Sequence, residues 1–383
     1  MQCTETALRG LMGRATDMGP GRMLLKADRM LNVEDRMDLF DSPFVHPAFI
    51  EAADGRICAG PVQQVHQGGY RFHYENKRSA PSLGASYATL WGHGYGPIGG
   101  CFLDLDGRHQ RNEADFRSGL KALIDKAGAD FLIWPYFPIE AREFQWLRAF
   151  LVDHFGPSAS MLMRRAHQRG FLDCRTAQDA GLTLSRNKRK LMGRQRRRLE
   201  EMGAVRFVST RDGLDDGEAL EAFLKVEASG WKARKGTALS VVPALNAFAH
   251  DFLPPLLAEG RARIDLMMLD DHCIAGLVSL QAGRGLFSWK TGMDEVYKRF
   301  SPGVHILHHL SLQALADPDI DYVDSLADAG HPVAEHIWGG HRAYAQLFVP
   351  LSAYGRVGSL SHSAAADGKQ QARYWAKRLL GRI

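Results

Sequence analysis

The sequence predicts a mixed α/β chain of the α+β type, with two tandem domains of related architecture, each a mostly antiparallel twisted sheet flanked by helices. Three observations lead there. A length of 383 residues accommodates two domains and short extensions. Hydrophobic residues make up 45% and charged residues 24% of the chain. This is ordinary globular usage, which excludes collagen-like, low-complexity and disordered classes. Finally, the periodic segments follow a similar layout twice, more clearly in the second half. The resulting partition is an N-terminal segment 1–40, a first domain 41–170, a second domain 171–355, and a linker with a basic C-terminal helix 356–383. The two domains join near 165–184.

In the first domain, segments 61–66, 70–75 and 87–92 read as strands, and the glycine-rich loop 96–100 follows them. Helical spacing over 113–127 and 139–152 brackets a strand at 130–135, and a strand at 160–164 closes the domain. The second domain opens on a helix that Ser185 caps. Helices are expected at 217–229 and 242–259. Three antiparallel strands follow at 263–269, 273–281 and 285–293, with turns at Asp270-Asp271-His272 and Ala282-Gly283-Arg284. A loop, Lys298-Arg299-Phe300-Ser301-Pro302-Gly303, leads into a helix over 304–316. A short strand (320–325), an irregular or helical stretch (331–338) and a strand (344–349) complete the domain. The stretch GSLSHSAAADG beyond it reads as a loop or linker.

The five cysteines, at 3, 58, 101, 174 and 273, include no CxxC pair, which argues for reduced thiols over a disulfide framework or a zinc ribbon. No apolar run reaches the roughly 20 residues of a membrane span, and the N-terminus lacks the apolar core of a signal peptide. A cytoplasmic protein is expected.

The formal net charge of +5 is local. Residues 186–198 hold eight cations and no acid (Arg186, Lys188, Arg189, Lys190, Arg194, Arg196, Arg197, Arg198), and the tail from Lys369 onward holds five more, which leaves the rest of the chain at −8. The first cluster forms a helix with a broad basic face. It is either a solvated surface or a receiver of a phosphate-bearing partner such as a nucleotide cofactor, RNA or a membrane. The tail, with Trp375, Leu379, Leu380 and Ile383, packs on its own domain or lies peripherally at the inner face of a membrane.

The loop Lys298–Gly303 carries the most chemistry. It delivers the chain from an antiparallel strand to a helix start, where unpaired backbone N–H groups and the positive end of the dipole favour phosphate. Here, in the Ser185–Gly203 helix, and in Val226-Glu227-Ala228-Ser229-Gly230-Trp231-Lys232 with Gly236-Thr237-Ala238, the sequence resembles the GNAT superfamily of acyl-CoA-dependent acyltransferases. More narrowly, it resembles the CelD-like branch related to the FemAB-type peptidyltransferases, which carries two tandem GNAT domains. The likeness covers about 180–350; over 40–165 it is one of layout, a degenerate GNAT-like domain. The family's phosphate loop reads Gln/Arg-x-x-Gly-x-Gly/Ala, and Lys298, Ser301 and Gly303 stand in those places, Ser301 departing from the usual glycine.

The resemblance implies that Lys298, Arg299, Ser301, Gly303 and Val304 hold the pyrophosphate of acyl-CoA. It also implies that strand 287–292 splays from strand 322–326, so that the pantetheine arm pairs with backbone between them. An amine then attacks the thioester directly, which requires an oxyanion hole and a general base but no covalent nucleophile. Candidates for the base are Glu227, on the apolar stripe of its helix, and Asp324, Asp328 and His331 at the strand exit. The bland alternatives are a buried ion pair for Glu227, a helix cap for Asp328 and a surface position for His331. Trp231, Lys232, Trp289 and Lys290 are expected to contact substrate. No metal is expected, and His305, His308 and His309 read as packing residues.

The leading expectation is acyl transfer from acyl-CoA, with an acetyl or longer chain, to an amine of a sugar, lipid precursor or amino-acid-type acceptor. One alternative is a FemAB-type aminoacyl-tRNA-dependent peptidyltransferase. Another is a non-enzymatic scaffold that binds RNA or an anionic surface. Nucleic acid is the less favoured partner, because no heptad stretch matches the coiled-coil arm common in FemAB-type enzymes.

Overall fold

The computed structural model describes residues 23–26, 38–57, 62–92, 94–96, 99–175, 182, 184–327 and 334–379, with backbone alone at 23–26, 231, 335–336 and 369–379. Its strands are β1 (Met23–Lys26), β2 (Gln63–Gln67), β3 (Tyr70–Arg78), β4 (Ser86–Leu90), β5 (Gly100–Phe102), β6 (Phe131–Pro138), β7 (Ser160–Asp173), β8 (Val205–Ser209), β9 (Ala262–Leu269), β10 (His272–Ala282), β11 (Gly285–Met293), β12 (Tyr322–Asp324) and β13 (Gly340–Pro350). Its α-helices are α1 (Pro47–Ala53), α2 (Glu113–Ala127), α3 (Arg142–Phe155), α4 (Arg186–Glu200), α5 (Asp216–Glu227), α6 (Trp231–Arg234), α7 (Pro243–Ala258), α8 (Pro302–Ala316), α9 (Ala334–Ile337) and α10 (Ala353–Leu379). Among the described residues, no helix is long and apolar enough to cross a membrane.

The chain divides into two compact units, each discontinuous in sequence. The first takes residues 1–40, 62–167 and 343–383, and the second takes 41–61 and 168–342. The order of periodic segments in the sequence predicts contiguous domains instead, 41–170 and 171–355. The physical reason for the difference is strand pairing: the late strand β13 runs antiparallel to β6, with Tyr344 opposite Pro138 and Pro350 opposite Phe131, and so returns to the first unit.

In the first unit β2, β3 and β4 form an antiparallel run and β4 pairs in parallel with β6. Helix α2 begins where the Asn112 side chain accepts from Asp115 N at 2.8 Å and ends at the left-handed Gly128. Its Phe116, Leu120 and Leu123 are buried, and Phe116 joins an aromatic cluster with Phe40, Tyr70, Phe72 and Trp134. Helix α10 corrects the expected linker. Its glycines and serines are small because the helix lies close on the sheet. A Cβ at Gly358 would fall 2.5 Å from Ala85 Cβ, and one at Gly355 would collide with Asp130 O. Ser359 and Ser363 turn their hydroxyls back onto the carbonyls of Arg356 and Leu360.

In the second unit the sheet runs from the latter part of β7 through β12, β11, β10 and β9 to β8. The expected meander is present, and Asp270 and Gly283 supply positive φ in its two tight turns. Neighbouring residues of a strand point to opposite faces. Leu277 and Leu286 thus meet Ile306 and Leu310 of α8 and Leu199 of α4, in a cluster with Trp338. Gly276 and Gly292 face α5 instead, where a Cβ would come within 2.8 Å of Phe223 and 2.6 Å of the Glu227 backbone. Two strands exceed expectation: β7 continues to Asp173 through the presumed junction, and β8 forms where no strand was foreseen.

Candidate functional site

Strands β11 and β12 pair in parallel at Gly285↔Tyr322, Leu286↔Val323 and Phe287↔Asp324, and there the pairing stops. From Ser288 to Met293, β11 keeps β10 as neighbour, and no strand among the described residues pairs with its other edge. The chain leaving β12 turns to β7, Ser325 N donating to Gly170 O at 3.1 Å.

Asp324 produces this departure. Its carboxylate is fully buried and takes Arg169 Nε at 2.6 Å and Arg342 Nη1 at 3.1 Å. It also accepts from Leu326 N at 2.9 Å, folding the exit into a tight turn with Leu326 at φ 52°. Burial alone would raise its pKa, but the two guanidiniums outweigh burial and hold the carboxyl below the usual aspartate range. Asp324 is an ionised anchor. The sequence showed this acid but not its partners.

Opposite the opening, β11 carries a bulge. Val278 pairs with Lys290 and Ser279 with Ser288, so Trp289 is the extra residue. The bulge turns both Trp289 and Lys290 toward α5–α7. Trp289 meets Phe252 edge-on at 5.0 Å, and the Lys290 ammonium lies 5.7 Å from the Trp289 ring centroid.

Glu227, at the end of α5, is 2% exposed. One oxygen pairs with Lys232 Nζ at 3.1 Å and the other accepts from Leu239 N at 2.8 Å. Lys232 also donates to Thr291 O of β11 at 2.7 Å. Burial first, and then the neighbouring Lys232, push the Lys290 pKa down to about 8, against a smaller upward pull from Glu227. The structure brings Glu227, Lys232, Trp289 and Lys290 into one neighbourhood. Of Trp231 only the backbone, at the start of α6, is described. Asp328 and His331 lie outside the described residues.

The loop before α8 is a short 3₁₀-helix, Glu295–Phe300, that bears Lys298 and Arg299 and ends at Ser301, which is left-handed with φ 53°. Ser301 O accepts from Val304 N and His305 N, and Pro302 opens the helix without a donor of its own. Gly303 has room for a side chain, a Cβ there meeting only Met293 Sδ at 3.7 Å. Helix α4 docks directly on this loop, Gln195 Nε2 donating to Arg299 O at 3.0 Å and to Ser301 Oγ at 3.1 Å. This contact was not legible in the sequence. His305 is buried in the first turn of α8, its pKa pushed down to about 4 by burial and by Arg196. His309 stacks on Phe207 with ring centroids 4.2 Å apart. Among the described residues no group of three His, Cys, Asp or Glu is placed to hold a metal.

Seven of the eight cations of α4 form no ion pair or side-chain hydrogen bond among the described residues. Arg196 is the exception, bound to Glu200 at 2.7 Å and to Val205 O at 2.9 Å.

Residues 186–336 match the model of a protein family described as an acetyltransferase (GNAT) domain. No curated protein matches the chain. Among solved structures the chain is similar to FemX, at a TM-score of 0.50 and 11% identity over 82% of this chain and 93% of that one. It is also similar to L-PGS from Bacillus licheniformis, at 0.46 and 12% over 85% and 98%. A tandem GNAT protein from the clavulanic acid biosynthesis pathway aligns at 0.35 and 14% over 75% and 79%. At such identities the likeness to FemX speaks for the fold, a mixed α/β architecture with a mostly antiparallel sheet flanked by helices.

Proposed function

We propose that the protein, whose residues 186–336 match the model of an acetyltransferase (GNAT) domain, transfers an acyl group from acyl-CoA to an amine. The acceptor is of the sugar, lipid-precursor or amino-acid type. The observation that carries this reading is the parting of β11 from β12 beyond Phe287 and Asp324, on a strand that leads into the α8 helix start.

A thioester arm entering the gap finds an open strand edge, so its amide groups pair with β11 backbone as an added strand. Backbone N–H groups of that edge, near the Trp289 bulge, are the donors available to the oxyanion that forms when the amine attacks. The start of α8, with Lys298, Arg299, Ser301, Gly303 and Val304, takes the pyrophosphate. The α4 cations that have no partner among the described residues, held against the same loop by Gln195, add attraction for the donor's phosphates. Glu227, Lys232, Trp289 and Lys290 border the thioester on the side of α5–α7, where the acceptor enters. Asp324 acts indirectly by keeping the gap open. Peripheral membrane contact through the C-terminal basic residues suits a lipid-precursor acceptor.

The test is thermal protection together with thioester turnover. Acetyl-CoA or a longer acyl-CoA raises the melting temperature in proportion to its occupancy and is consumed when amines are supplied. If no chain length protects the protein or is cleaved, the reading fails. A second reading, in which the donor is an aminoacyl-tRNA, is favoured by the row of α4 cations that have no partner among the described residues. It predicts tRNA binding that weakens steeply with salt.

A further inference from the structure

The transfer needs a group that accepts the amine's proton, and the two acidic residues described at the site are both committed elsewhere. Asp324 is held between Arg169 and Arg342. Glu227 is held by Lys232 and by the Leu239 N–H. Taking a proton at either carboxylate would break these buried contacts. Lys290 is differently placed. It follows the bulge residue Trp289, on the stretch of β11 that β12 has left, and its side chain lies among Trp289, Glu227 and Lys232. Among the described residues, the charged groups that face it include Glu227 of α5 and Lys232 of α6. Arg234, farther along α6, pairs with Glu295 at 2.8 Å. On β10, the residue opposite Lys290 is the uncharged Val278.

We propose that the Lys290 amine is the proton carrier of the transfer, taking the proton of the attacking amine and returning it to the departing thiolate. This rests on the acyl-CoA reading above. The acceptor nitrogen forms a bond to the thioester carbon, and the adduct nitrogen carries a surplus proton. Neutral Lys290 takes that proton. The carbon–sulfur bond then breaks, and the ammonium of Lys290 protonates the leaving thiolate. The products are an amide and a free thiol, and Lys290 is neutral again. Burial and the adjacent Lys232 keep part of the Lys290 population neutral near pH 7. The resulting basicity is close to that of a thiol, at about 8.5, so the return step is matched. Glu227 is a positioning residue here: it holds Lys232 in place and moderates the depression of Lys290.

The test pairs a titration with kinetics. Protein labelled with 13C at lysine Cε gives one signal that Lys290→Arg removes, and that signal titrates with a midpoint near 8 while exposed lysines titrate near 10.5. Lys290→Gln, folded as judged by its melting transition, loses about 100-fold or more in turnover of acetyl-CoA with ethanolamine. With hydroxylamine, whose adduct sheds its proton to water, the loss is only a few-fold, and the KM for acetyl-CoA is unchanged. Glu227→Gln moves the Lys290 midpoint lower and carries the pH profile with it, which loss of a purely structural contact would not do. A midpoint near 10.5, or equal losses with both amines, overturns the assignment. Failure of the wild type to use acetyl-CoA is a distinct result: it removes the acyl-CoA reading and this role together, whatever the titration gives.

Discussion

Asp324 illustrates how a residue that looks catalytic in sequence acquires another task in space. An acid at the exit of a strand, where the neighbouring strand parts from it, invites the role of base. Its partners, 155 and 18 residues away, convert it into the counterion of two buried guanidiniums. No pattern in the sequence connects Arg169 or Arg342 to it, so the position was legible and the role was not. For Glu227 the sequence went further, because its place on the apolar stripe of α5 follows from helical spacing and makes a buried ion pair an expected role, which the structure assigns to Lys232. Removing the Asp324 charge leaves two cations buried against a neutral amide. Asp324→Asn is therefore expected to lower stability by about 3 to 5 kcal/mol in chemical denaturation. The pH dependence has a definite sign. The folded carboxyl ionises below the unfolded one, so its contribution is complete above the ordinary aspartate value of about 4 and is lost as pH falls further. Denaturation of the wild type should steepen in that acid window, and the variant should lack this component. A variant as stable as the wild type at neutral pH, with the same acid profile, would show that the triad is dispensable.

At the scale of elements, α4 separates an inner from an outer face. Leu199 and Met192 pack into the core cluster. Arg186, Lys190, Arg194 and Arg197, spaced by four, four and three residues, share the opposite side. Like charges at such spacing repel by a few tenths of a kcal/mol per pair, and no acid offsets these four among the described residues. Replacing them with glutamine therefore leaves stability within about 0.5 kcal/mol of the wild type or raises it slightly. If the face serves the donor, the same variant raises the KM for acyl-CoA several-fold and flattens its salt dependence, with kcat retained. An unchanged KM, measured at low ionic strength, would return the face to solvent. The helix itself was legible because the cap, the apolar positions and the charge run agree. Helix α10 was misread because serine, glycine and alanine signal a loop by composition, whereas here they permit close approach to Ala85 and Asp130.

On the scale of the whole molecule, the sequence carried the local order of elements but not the path by which the chain closes its units. The meander β9–β11 and its turns followed from alternation and turn residues, since hairpins are specified by neighbours in sequence. The assignment of β13 was not legible, because its partner β6 precedes it by about two hundred residues, and an apolar strand of that kind fits any open edge. A sharp expectation follows. A chain ended after Ala343 retains the whole of the second unit but strips the first of β13 beyond its opening residues and of α10. Strand β6 then loses the antiparallel partner that runs from Tyr344 to Pro350. Phe131, Ile133 and Tyr87, now in a buried cluster with Leu162 and Phe348, lose part of their cover. Hydrogen exchange should show the amides of Phe131–Pro138 deprotected by several orders of magnitude, while β9 and β10 keep the protection set by their own pairing and by α5 and α8. If β6 stays as protected as in the full chain, the first unit does not depend on its returning strand. If β9 and β10 open to the same extent, the two units fold as one cooperative block.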